Sequence, residues 1–230
     1  MNKLQVEAKQ GRLEGQAAEA AVLFLFEGET TLRNEAAWFD KALNGAVLDV
    51  IRSGEFEGKS GDLLLMHTHG KVPARRVLLA GVGKRKELTL DRVRQAMGHA
   101  VKRVRQAKAA SFFSALPAVL PRGSQALDVT QALTEGAILG SYQFDEYRSE
   151  SNGPPKHEVE KLTLLVPDKG RLKLASEGVR RGTATAEAAV FTRDLCNHPS
   201  NVMTPSRIAE EAKTIATETR VSLKILEQDD

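Results

Sequence analysis

Cysteine is almost absent: Cys196 stands alone among 230 residues. No internal disulfide can form, and the chain reads as one built for a reducing compartment. No hydrophobic run approaches the roughly 20 residues of a membrane-spanning helix; AAVLFLF at 20–26 is among the longest. The opening MNKLQVEAKQ lacks the apolar core and cleavage-like site of a signal peptide, so a soluble cytoplasmic protein is expected. Aromatic residues are scarce, at 5%. Absent too are GxSxG, HExxH, a Cys/His cluster and carboxylates paired in a recognisable frame. Internal chemistry alone therefore marks no hydrolytic centre, and no catalytic, cofactor-binding or metal-binding residue is assigned.

What is present suits a sizeable core. Apolar residues make up 41% and charged residues 27%, ordinary globular usage at a length that supports one large domain with or without an appendage. The net charge of +3 is unevenly placed. Lys84 to Lys108 holds nine Lys/Arg against Glu87 and Asp91, a local +7, and the rest of the chain is −4. Such a concentration raises the question of a polyanionic partner.

Short aliphatic runs bounded by glycine, proline or charge predict strands at VEAKQ near the start, at 20–27, 62–68, 75–82, 110–116 and 161–167. Between them, 34–54 predicts one helix, with Asn34 as N-cap and Gly54 as its stop. Leu90, Val93, Met97, Val101 and Val104 step by three and four, marking a helix over 89–108. A further helix is expected over 124–144, with Ala126, Val129, Leu133 and Ile138 inward. Alternation of strand and helix implies an α/β fold with a largely parallel sheet covered on both faces. SESNGPPKHEVE at 149–160 predicts an exposed loop. From 170 to 197 one long helix is expected, in which Gly178, Gly182, Ala186 and Val190 recur every four residues as a stripe for close helix approach. Thr204-Pro205 begins a last helix, and VSLKILE at 221–227 predicts a strand.

Four candidate sites compete with blander readings. GVGK at 81–84 follows a strand and precedes a helix, but Arg85 stands where a phosphate-binding loop needs Ser or Thr, which favours a plain turn. His67 and His69 would share a side of a continuing strand, yet no third metal ligand is identifiable. Cys196 and His198, two apart on a helix, point away from each other. Arg92, Arg94, Lys102, Arg103, Arg105 and Lys108 lie off the apolar stripe of the basic helix and are the possible DNA contacts; a solvated helix face is the simpler reading, because no aromatic residue is interleaved for base stacking.

RDLCNHPSNVMTPSRIAEEA, Arg193 to Ala212, strongly resembles the start of the catalytic domain of leucyl aminopeptidases, the two-metal M17 family, with its RDLxNxPxNxxTPxxxAxxA pattern. Glu135 to Ser149, EGAILGSYQFDEYRS, is similar to a block near the end of that family's N-terminal domain, and RVLLAGVGK resembles a third. The resemblance implies a macro-domain-like α/β domain over 1–167 with a mixed, largely parallel sheet, a connecting helix over 168–198, and the start of a truncated catalytic domain over 199–230. It implies that the intact enzyme removes N-terminal amino acids from peptides, holds two divalent ions, manganese or zinc, and assembles as a homo-hexamer.

The family's metal and catalytic segments lie downstream and their strings do not occur here, so no cofactor is expected in this chain and a structural, assembly or substrate-access role is. Glu227, Asp229 and Asp230 do not make up the converging carboxylates that two bridged metals need. Two other readings stay open: weak DNA binding through the basic helix, and binding of an ADP-ribose-type ligand in a macro-like cleft.

Overall fold

The computed structural model describes residues 4–117, 119–147 and 157–226. Six strands form one sheet in the order β1-β6-β5-β2-β4-β3: β1 Gln5–Gln10, β2 Ala20–Leu25, β3 Leu63–His67, β4 Arg76–Gly81, β5 Ser111–Ala115 and β6 Lys161–Val166. Every pairing is parallel except β3 with β4. Central β2 and β4 are almost wholly buried, which is why they read as continuous apolar runs and not as alternating ones. The expected α/β architecture is the observed one.

Two apolar layers flank the sheet. On one face, α3 (Leu90–Gln106) and α4 (Ala126–Ser141) place Met97, Val101, Val129 and Leu133 against Val22, Leu78, Phe112 and Leu162. On the other, α1 (Asn34–Ala42) and α2 (Ala46–Arg52) place Phe39 and Val47 against Leu23, Leu25 and Leu79. Thr89 caps α3 by accepting from the Arg92 N–H, and Asp168 caps α5 (Lys169–Asn197) by accepting from the Arg171 N–H. α6, Pro205–Glu218, starts behind the Thr204 cap with proline in its first turn.

α5 is a single unbroken helix, and Gly178, Gly182 and Ala186 are buried on it. A Cβ on Gly182 would lie 2.7 Å from the Gln131 carbonyl and 2.8 Å from Thr134 Cβ, both on α4. The glycine stripe is thus the means by which α4 and α5 approach at backbone distance. Gly140 of α4 does the same toward Gly98 of α3, where a Cβ would stand 2.7 Å from Gly98 Cα. Three helices are locked side by side through residues that have no side chain.

Several expectations need correction. Residues 34–54 form two helices: Asn44 (φ 60°) and Gly45 (φ 88°) turn left-handed, and the Asp40 carboxylate accepts from the Leu48 N–H at 2.9 Å to open α2. Apolar spacing ran through this break and hid it, although Asn-Gly is a strong turn signal. Asn34 is the first helical residue, with Arg33 in the cap position and no side-chain cap. α4 ends at Ser141, so Tyr142 to Phe144 leave the helix. Residues 221–226 form no strand; extended backbone becomes a strand only beside a neighbour that takes its N–H and C=O groups, and none adjoins it among the described residues. Of the loop expected at 149–160, residues 149–156 lie outside the described residues, as do Glu227, Asp229 and Asp230.

Candidate functional site

Among the described residues, two places bear most directly on function. The first is the junction between the C-terminal ends of α4 and α5. Tyr142 Oη donates to Asp194 Oδ1 at 2.7 Å and accepts from Asn197 Nδ2 at 2.9 Å. The Arg193 guanidinium lies 5.7 Å from the Tyr142 ring centre and donates to the Leu139 carbonyl at 3.3 Å. Burial, and then the Asp194 carboxylate, hold the Tyr142 phenol above its ordinary pKa, so it remains a donor at neutral pH. One step further out, Tyr147 Oη is hydrogen-bonded to His198 Nδ1 at 2.7 Å, and Phe144 meets the same imidazole edge-on at 5.2 Å.

The two sequence blocks singled out above therefore touch residue by residue. The RDLCNH end of one is fastened by the SYQFDEY end of the other. Asp194 and Asn197 are spent on Tyr142, and His198 on Tyr147. Cys196 is exposed and stands apart from this set. The earlier block has a second internal use: buried Glu135 takes Arg94 Nη2 at 2.7 Å and Gln131 Nε2 at 2.8 Å.

The second place is a cavity of about 230 Å³ at the carboxyl ends of β2 and β5. The β2–β5 ladder stops at Val22 and Ser114. Beyond it the exits diverge, β2 leading to α1 on one face and β5 to α4 on the other. Order reverses here, the switch point at which open α/β sheets hold ligands. Leu25, Phe24 and Leu116 line it, with Arg33, Arg85, Glu29 and Glu35. Glu29 accepts from the Phe26 N–H at 3.2 Å, and Arg85 reaches it at 3.4 Å while lying 4.6 Å over the Phe26 ring. Motif searching does not mark this site because it is assembled from segments far apart in sequence, among them 22–26, 33–36, Arg85 and 115–117; the signals available were the parallel sheet itself and the macro-like cleft that the family resemblance implies.

The remaining candidates resolve as follows. In GVGK, the Gly83 amide donates to the Gly58 carbonyl and the Gly83 carbonyl accepts from Glu27, both at 3.0 Å, so the turn is a structural one. His67 and His69 have ring centres 6.1 Å apart and are exposed around buried Thr68. No group of three His, Cys, Asp or Glu placed to hold a metal occurs among the described residues. On the basic helix, Arg92 pairs with Glu87 at 2.9 Å, Arg94 with Asp91 and Glu135, and Arg105 with the Ser141 carbonyl at 3.2 Å. Lys102 and Lys108 are exposed and Arg103 half-buried. No described helix is long and apolar enough to cross a membrane.

The model of the cytosol aminopeptidase family, N-terminal domain, matches residues 22–151. A "Probable cytosol aminopeptidase" of Geobacter sp. (strain M21) is 37% identical over 216 residues, 93% of this chain and 42% of its own length. One from Roseiflexus castenholzii is 37% identical over 189 residues, 82% of this chain and 38% of its own. The chain thus spans about two fifths of the length of these relatives. Among solved structures, a mutant of tomato leucine aminopeptidase superposes with a TM-score of 0.79 at 23% identity, over 94% of this chain and 42% of that one. The bottromycin maturation enzyme BotP superposes at 0.64 and 24%, over 88% and 38%. These two likenesses concern the fold.

Proposed function

The chain belongs to the cytosol aminopeptidase family through its N-terminal domain, and on that premise we propose that it serves as the N-terminal portion of a metal-dependent aminopeptidase. In this reading, residues 1–167 are a positioning domain, 168–198 a rigid connecting helix, and 199–230 the opening of a peptidase portion that supplies the chemistry. The two divalent ions, manganese or zinc, belong to that portion, where they would polarise the peptide carbonyl and activate water. This chain's own part is to hold the entry to the peptidase portion in a fixed direction and to support assembly into a hexamer.

The observation that carries the reading is the placement of apolar surface. Of nine large apolar side chains left exposed among the described residues, seven fall at or beyond Phe191, including Ile208, Ile215, Val221, Leu223 and Leu226. Ile208, Ala212 and Ile215 share one face of α6 at three- and four-residue spacing. A surface of this kind fits burial against further protein.

Activity on leucine-4-nitroanilide tests the proposal. The chain alone, with manganese, zinc or cobalt added, should give no turnover above background. Joined in one reading frame to the C-terminal portion of the Geobacter relative, it should give metal-dependent turnover. Turnover that purifies with the chain alone would refute the reading. The DNA reading is not favoured, since three of its six cations already have partners within the chain, and the cavity is smaller than the ~300–1,000 Å³ of pockets for drug-sized ligands, which disfavours an ADP-ribose-type ligand.

A further inference from the structure

We infer that the cavity at the carboxyl ends of β2 and β5 binds a free aliphatic α-amino acid. Size sets the first limit: about 230 Å³ leaves room for an amino-acid-sized molecule and not for a dinucleotide. The charges set the second. Arg33 and Glu35 face the space together with the Arg85–Glu29 pair, whose two charges offset each other across 3.4 Å, so the wall presents both signs side by side. A simple anion would gain from the arginines and meet repulsion from the carboxylates, and a simple cation the reverse. A zwitterion satisfies both signs at once.

The lining also has a direction. Arg33 precedes α1, whose N-terminus has no side-chain cap, so a carboxylate placed at that end meets a guanidinium and the amide end of the helix together. Glu29 is held in place with Oε2 accepting from the Phe26 amide and Oε1 facing Arg85, and an ammonium would share its remaining lone pairs and those of the Glu35 carboxylate. Leu25 and Leu116 supply an aliphatic surface for the side chain. Polar groups fix the ligand's head and the apolar wall selects its side chain, the usual division of labour in small-molecule sites.

The site stands on this geometry; its link to turnover rests on the peptidase reading, in which a free amino acid is the released product. Binding at the N-terminal domain would then let accumulated product be sensed away from the peptidase centre.

The test is an amide NMR titration of the 230-residue chain with L-leucine. Saturable shifts are expected in residues 24–36 and 115–117. Leucinamide, which lacks the carboxylate, and 4-methylpentanoate, which lacks the ammonium, should each bind at least about tenfold more weakly, as loss of a charge-assisted hydrogen bond implies. Arg33→Ala should weaken leucine by about as much while thermal unfolding stays unchanged, and Leu116→Trp, which fills the cavity, should abolish binding. Absence of saturable shifts would overturn the inference. So would 4-methylpentanoate or inorganic phosphate binding as tightly as leucine, because the site would then be a plain apolar or anion site. No turnover enters this measurement: an inactive joined enzyme would sink the peptidase reading alone, and absent binding would sink this inference alone.

Discussion

Residues 4–186 and residues 187–226 are built on different terms. Among the described residues, the first stretch contains every buried side chain, two apolar layers against a six-stranded sheet, and helices so close that glycine is required between them. The second contains no buried residue. It is held at its near end by Tyr142, Tyr147 and Phe144, and then continues as a helix with its own N-cap and an apolar stripe facing outward. Local signals such as caps and hydrophobic spacing are equally good in both. What differs is whether a partner surface exists in the chain, and most helical stability in proteins comes from such a partner and not from propensity.

Substitutions should separate the two stretches cleanly. Leu133→Ala, in the α4 layer, should cost about 2–5 kcal/mol in urea unfolding through the cavity it leaves. Gly182→Leu should cost about 1–3 kcal/mol or more by forcing α5 away from α4, and a loss below about 0.5 kcal/mol would mean the stripe is not packed. Arg94→Ala leaves the buried Glu135 carboxylate short of its main donor and should cost about 1–3 kcal/mol. That outcome would also show that this arginine serves the helix layer and not a polyanion. Ile215→Ser, beyond the boundary, should change global unfolding by no more than about 0.5 kcal/mol; a core-sized loss would mean that α6 is packed in the isolated chain.

The smallest expected effect is a titration. Glu177, on the solvent side of α5, accepts from Arg180 and Arg181 at 2.7–2.8 Å, and these hydrogen bonds lower its pKa from 4.5 to about 2. A lowered folded-state pKa contributes stability above the unfolded value, and that contribution fades as pH falls from 4.5 toward 2. The carboxyl resonance of Glu177 should accordingly move with a midpoint near 2, and Arg180→Ala with Arg181→Ala should return it toward 4.5. A midpoint already at 4.5 in the native chain would show the exposed pairs to be open in solution.

Much of this was legible in the sequence, for reasons that particular residues make plain. Aliphatic runs such as VLLAG at 77–81, short and bounded by charge and glycine, read as strands, and the four-residue recurrence of Gly178, Gly182 and Ala186 marks where another helix can approach closely. The sequence blocks were readable as markers of a family. That they interlock was not, because a hydrogen bond from Tyr142 to Asp194 spans 52 positions and leaves no local trace. The break at Asn44-Gly45 was hidden by apolar spacing that runs through it. The tail at 221–226 shows the opposite error: its composition is that of a strand, and strand formation is a property of a pair. A cleft was implied by the family resemblance, but its lining was not legible, because topology, not motif, brings those residues together.

The most direct test of the account is amide hydrogen exchange followed by mass spectrometry on the chain alone and on the chain joined to the C-terminal portion of the Geobacter relative. The account predicts that strands β2, β4, β5 and β6 and helices α3 and α4 are strongly protected in both. Residues 199–226 should exchange rapidly in the chain alone and at least about a hundredfold more slowly once joined, the result of burying the α6 stripe. Protection of 199–226 equal to that of α4 in the chain alone, or continued rapid exchange after joining, would contradict it.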